Sequence, residues 1–139
     1  MPKTIVNPSS LAKPSGYSNG FMIDGGRLLV LAGQTGMDVT GRIASPGDIV
    51  AQFRQALSNL QAVIAEAGGA MTDIVKLNIF VTERDAYKTN LKPIGEVYRS
   101  FFGRHYPAMT LVEVKRLFDD EAMIEIEGWA VIGGQLISE

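Results

Sequence analysis

Apolar and polar residues recur along the chain with two different periods, and the period separates its elements. Ile49, Phe53, Ala56, Leu57, Leu60, Val63, Ile64 and Ala67 follow in steps of three and four, one stripe along an α-helix. Ser45 is placed to cap that helix, Pro46 suits a first helical position, and Asp48 falls where the acid of a capping box belongs. Gly68-Gly69 ends it by offering a left-handed turn without side-chain cost. A second stripe, Leu91, Ile94, Val97, Tyr98, Phe101 and Phe102, predicts a helix that opens at Asn90 as cap, tolerates Pro93 in its first turn and stops at Gly103. Period two takes over from Ile74 to Val81, where Val75, Leu77, Ile79 and Val81 face one way and Lys76, Asn78 and Phe80 the other. Two more strands are predicted, one from Met109 to Lys115 and one from Met123 to Ile132. Phe21-Met22-Ile23 and Arg27 to Ala32 flank Asp24-Gly25-Gly26, which predicts a β-hairpin. The first nineteen residues, punctuated by Pro2, Pro8, Pro14 and Gly16, read as an extended, irregular arm.

The order β-β-α-β-α-β-β is that of an α+β domain with two helices packed on one face of a sheet. Two strands are apolar on both faces. Leu28, Val30 and Ala32 alternate with Leu29 and Leu31, and Trp129, Val131 and Met123 lie opposite Ile124, Ile126, Ala130 and Ile132. Two helices cover one face only, so the other implies an apolar patch larger than a monomer usually leaves in water. A second copy of the chain is expected to cover it.

Composition narrows the chemistry. The 139 residues, 15.0 kDa, fit a single domain spanning 1–139. Net charge is −2, which argues against affinity resting on phosphate neutralisation and so against a nucleic-acid partner. Cysteine is absent, removing disulfides, thiolate nucleophiles and sulfur-ligated metals, and one histidine, His105, cannot build a metal site alone. No segment has signal-peptide or membrane-span character, so a cytoplasmic protein without membrane contact is expected.

Few residues then offer chemistry. Glu125 and Glu127 stand two apart on a predicted strand, so both carboxylates project from the face of Trp129. Carboxylates against a partly dry surface exchange protons nearer neutral pH, but the same pair also serves as interface charges for a neighbour's Arg or Lys. Tyr17 in the arm is either a hydrogen-bond donor to a ligand or a plug on the sheet edge. Asn90 reads as a helix cap and His105 as a loop residue.

In order along the chain these residues resemble the reactive-intermediate deaminase family (RidA or YjgF type), also described as endoribonuclease L-PSP. Gly16-Tyr17-Ser18 resembles the family's amino-terminal GPYS element and Ala32-Gly33-Gln34-Thr35-Gly36 its SGQ loop. Asn59-Leu60 with Ala67-Gly68 resembles its first helix. Pro107-Ala108-Met109-Thr110 falls on its Pro-Ala-Arg-Ser, and Ile124-Glu125-Ile126-Glu127 on its Ile-Glu-Ile-Glu. The resemblance implies a chorismate mutase-like fold, a homotrimer whose sheets line a central barrel, and a small-molecule cleft at each subunit boundary. It implies hydrolysis of enamines and imines to a keto compound and ammonia, with no metal or organic cofactor. Glu125 is then the catalytic, water-ordering carboxylate, and Tyr17, Ala32, Gly33, Met109, Thr110 and Leu111 line the substrate. Two positions depart from the pattern. Met109 stands where the family has the arginine that grips a substrate carboxylate, and Ala32 where it has serine. A bidentate guanidinium clamp is not imitated by a thioether. The expected substrate is therefore an imine or enamine other than a simple amino-acid imine, with Arg104 or His105 as candidate substitutes for the lost arginine. The alternative is a trimer that binds a metabolite in the same clefts without turnover.

Overall fold

The computed structural model describes residues 2–133 and 135–137. Among them the chain forms β1 (Pro2–Val6), β2 (Gly20–Ile23), β3 (Arg27–Gln34), α1 (Ile49–Glu66), β4 (Ile74–Val81), α2 (Arg84–Thr89), α3 (Leu91–Phe102), β5 (Ala108–Glu113), β6 (Ile124–Ile132) and β7 (Gln135–Ile137). The larger sheet has the order β3-β6-β4-β5, antiparallel except for the parallel β4–β5 pair. A smaller sheet sets β1 between β2 and β7.

The larger sheet sorts its residues as the alternation predicts. Leu77 and Ile79 of β4 face inward with Ile126 of β6, and α1 and α3 pack over them through Phe53, Leu57 and Ile94, all buried. The opposite face carries Leu28, Val30 and Trp129, which remain 67%, 64% and 46% exposed. No helix of the described residues covers that face, in keeping with the expectation drawn from the sequence. Among the described residues no helix is long and apolar enough to cross a membrane.

Three expectations need correction. The hairpin around Asp24-Gly25-Gly26 does not form: β2 pairs with β1, while β3 pairs with β6. Both glycines do take positive φ, 95° and 91°, but the turn passes the chain from one sheet to the other. An eight-residue strand satisfies more of its backbone along nine-residue β6 than four-residue β2 could offer. The arm is not wholly irregular either, since Pro2–Val6 is a strand. Lys3 explains why. Its ammonium is buried at 2% exposure and donates to Val131 O at 2.7 Å and Asp73 Oδ1 at 3.1 Å, riveting β1 to the rest. Finally, Asp48 and not Ser45 caps α1, its carboxylate accepting from Ala51 N at 3.0 Å. Ser45-Pro46-Gly47 is the turn before it, closed by Asp48 N donating to Ser45 O. The far end of α1 is as expected, with Gly68 at φ 85° and Gly69 N donating to Ile64 O at 2.9 Å.

The short helix α2 carries no buried residue and so has no apolar stripe to announce it. It places Asn90 at a junction of two helices. There the Asn90 amide donates to Ala86 O at 2.7 Å and makes no cap to α3.

Candidate functional site

Glu125 sits at the amino-terminal end of β6, opposite Phe80 of β4, so its side chain lies on the face away from the helices. Beside it β3 has a bulge: Leu31 pairs with Gly128 but Gln34 pairs with Ile126, leaving Ala32 and Gly33 opposite one residue. The bulge turns Gly33 toward the carboxylate. A Cβ at Gly33 would lie 2.8 Å from Glu125 Cδ, so only glycine leaves the carboxyl group its place.

The two carboxylates of the strand are not equivalent. Glu127 accepts from Asn78 Nδ2 at 3.1 Å, whereas Glu125 has no hydrogen-bond partner among the described residues. The half-buried Glu125 carboxylate is thus held in position by packing while its oxygens remain uncommitted. Thr110 of β5 shares this face, its hydroxyl meeting Lys76 Nζ at 3.0 Å.

Buried polar side chains fix this end of the sheet. Gln52 of α1 is fully buried, donates to Ser45 O at 3.0 Å and Glu121 O at 3.2 Å, and accepts from Met123 N at 2.8 Å. It therefore anchors the residues on which β6 begins, two positions before Glu125. Gly36 lies against Gln52, where a Cβ would come within 2.9 Å of the Gln52 backbone. Asn59, about two turns further along α1, donates to Thr35 O and Met37 O and holds the loop after β3.

Met109 is elsewhere. It pairs with Leu77, so it faces the helices, as does Leu111 opposite Ile79. Its side chain lines a cavity of about 260 Å³ between β4, β5 and α3, walled by Phe53, Leu77, Ile94 and Tyr98 and closed by Ser15 and Gly16 of the arm. Met109 and Glu125 therefore belong to opposite faces of one sheet, and a single chain does not bring them together.

Tyr17 takes a third position. Ser18 N donates to Pro107 O at 3.0 Å and its hydroxyl to Tyr106 O at 2.6 Å, so the arm is strapped alongside the start of β5. Tyr17 faces a wider cavity of about 610 Å³ that it shares with Lys13, Arg104 and His105. Arg104 thus opens away from the Met109 cavity, while Arg99 of α3 lines it. Sequence reasoning missed Arg99; the signal was Gly95, a glycine inside a helix whose missing side chain leaves the guanidinium room. His105 is no idle loop residue. It is buried with Nε2 2.6 Å from Ile74 O, and since a carbonyl only accepts, that nitrogen carries the proton. Among the described residues no cluster of three His, Asp or Glu could hold a metal ion.

The family model described as Endoribonuclease L-PSP matches residues 8–132. The chain is 36% identical over 135 residues to a 2-iminobutanoate/2-iminopropanoate deaminase of Escherichia coli strain K12, covering 94% of this chain and 98% of that one. Among solved structures it is similar to YyfB of the conserved Rid protein family from Yersinia pestis, at TM-score 0.84 and 30% identity over 95% of this chain and all of that one. It is also similar to Escherichia coli TdcF, crystallised with bound serine, at TM-score 0.64 and 33% identity, covering 86% and 90% of the two chains.

Proposed function

The chain belongs to the endoribonuclease L-PSP, or Rid/YjgF, family, and from that membership we propose that it hydrolyses an imine or enamine to a carbonyl compound and ammonia. The observation that carries the proposal is the Glu125 carboxylate, set against Gly33 and without a hydrogen-bond partner among the described residues, on a face that no helix among them covers. Protonation of an imine nitrogen makes its carbon electrophilic. Water held by Glu125 adds to that carbon and loses a proton to the carboxylate. Glu125 then returns the proton to the nitrogen of the carbinolamine, the C–N bond breaks with release of ammonia, and the hydroxyl proton passes to the Glu125 carboxylate and on to solvent as the C=O forms, replacing the proton that the imine nitrogen took from water at the start. The balance needs water alone, and no metal or organic cofactor enters it.

The cleft is formed in this reading where two copies of a homotrimer meet. Glu125, Ala32, Gly33 and Thr110 come from the outer sheet face of one copy, Met109 and Leu111 from the β5 edge of the next, and Tyr17 supplies a phenol donor from the arm. Exposed Leu28, Val30 and Trp129 favour such a seam, because a partner would remove them from water. With Met109 in place of arginine, strand β5 has no clamp for a carboxylate next to the reacting carbon, so a simple amino-acid imine is not the preferred substrate. That same methionine favours a second reading, a trimer that binds a small metabolite without turnover.

Ammonia release from freshly generated imines tests the choice. Glu125→Gln is expected to lower the rate by about 10²–10⁴ with the fold retained. Activity that survives the substitution removes the role given to Glu125, and binding without turnover in the unaltered protein selects the second reading.

A further inference from the structure

We propose that Arg99 is the anion-holding residue of the Met109 cavity, which takes a small ligand with an apolar body and a carboxylate or similar planar anionic head. The inference rests on the preceding reading in taking this cavity as part of the substrate cleft, and it names the residue and the charge that reading leaves open.

The cavity is apolar on most sides, with Phe53, Leu57, Leu77, Ile79, Ile94 and Met109 around it. Ser15, Tyr87, Tyr98, Arg99 and Tyr106 break that lining; the Tyr98 hydroxyl already donates to His105 O at 2.6 Å, and two of the others bear on the ligand. One is the Arg99 guanidinium, which forms no ion pair among the described residues. The other is the Tyr87 hydroxyl, which has no hydrogen-bond partner there either. Burial pushes the Tyr87 phenol above its ordinary pKa, so it stays a neutral donor.

Gly95 shows that the arrangement has a cost. It lies inside α3, where glycine is about 1 kcal/mol less favourable than alanine. A Cβ there would sit 3.2 Å from Arg99 Nη1, so the guanidinium lies back over the glycine, and Arg99, exposed, lines the cavity together with Gly95. A guanidinium is the group best matched to a planar two-oxygen anion, and it is more weakly hydrated than an ammonium at an apolar rim. At about 260 Å³ the space is below the roughly 300–1,000 Å³ of drug-sized sites, which limits the body to a small ring or short chain. The charge that strand β5 lacks at Met109 is thus supplied from helix α3, on the facing wall. An acid group held there is displaced from the strand.

Titration of the full chain with sodium benzoate, and with benzamide as its neutral match, tests this by calorimetry. Benzoate is expected to bind at least tenfold more tightly than benzamide. Arg99→Gln should remove that difference by weakening benzoate alone, and Arg99→Lys should restore only part of it. Gly95→Leu, which fills the mouth, should weaken both. Equal affinities for the two probes, no benzoate binding at millimolar concentration, or unchanged benzoate affinity in Arg99→Gln overturns the proposal, whatever that variant does to stability. Ammonia release measured in parallel separates the two readings. Benzoate bound through Arg99 without any imine turnover defeats the deaminase alone. Turnover with a KM untouched by Arg99→Gln defeats the anion site alone.

Discussion

Gly33 and Glu125 are two residues whose functions are one. The glycine is required by the carboxyl group that occupies its missing side chain's space, so Gly33→Ala must push Glu125 or the bulge aside. The atoms met are the far end of a flexible side chain, so the shift falls on the carboxyl group and not on the fold; the expected outcome is a folded protein by circular dichroism with imine turnover reduced at least tenfold. His105 makes a different prediction. Burial lowers its pKa below the ordinary 6.5, nearby Lys3 adds to the effect, and the Ile74 carbonyl and Asp73 oppose it. The unfolded chain therefore takes up the proton first as pH falls. The stability that neutral His105 contributes is complete above pH 6.5 and is lost as pH drops toward the lower folded value. Chemical denaturation between pH 8 and about 5 should show that decline, and His105→Asn should flatten it. Glu125 was legible in the sequence because strand alternation alone gave its face. His105 was not, since its buried contact with Ile74 joins residues far apart in the chain.

At the scale of elements, period decided what could be read. α1, α3 and β4 each bury a regular stripe, and each was visible as one. β1, α2 and the pairing of β2 were not, because a short strand, an exposed helix and a choice of partner leave no periodic trace. Lys3 is the instructive case: a cation early in the chain reads as solvated, yet here it is buried against Asp73 and Val131 O. Removing one member of a buried pair strands the other's charge and costs about 3–5 kcal/mol when that charge is fully buried; Asp73→Asn strands the Lys3 ammonium at 2% exposure, whereas Lys3→Met strands a carboxylate that is 19% exposed and reaches water. Asp73→Asn is therefore expected to lower the denaturation midpoint more than Lys3→Met does. The reverse order would mean that β1 is held by its strand pairing and not by the ion pair.

On the scale of the whole molecule, the sheet poses a problem that one chain does not solve. Its outer face exposes Leu28, Val30 and Trp129 beside Glu125, while Met109 and the Arg99 cavity open on the inner side of its β5 edge. The two-faced apolar pattern was plain in the sequence, but the separation of Met109 from Glu125 depended on strand register and could be seen only in three dimensions. A cleft using both needs two copies, and complementation tests that most directly. Glu125→Gln and Met109→Trp chains, each inactive alone, are co-expressed and the assembly is checked by light scattering for a mass of about 45 kDa, three times the 15.0-kDa chain. Random assembly into three-fold rings leaves one intact seam in every mixed trimer, so imine turnover should recover to roughly a quarter of the unaltered level. Mixed trimers that form and stay as inactive as their parents, or a particle of single-chain mass, would contradict a site shared between subunits.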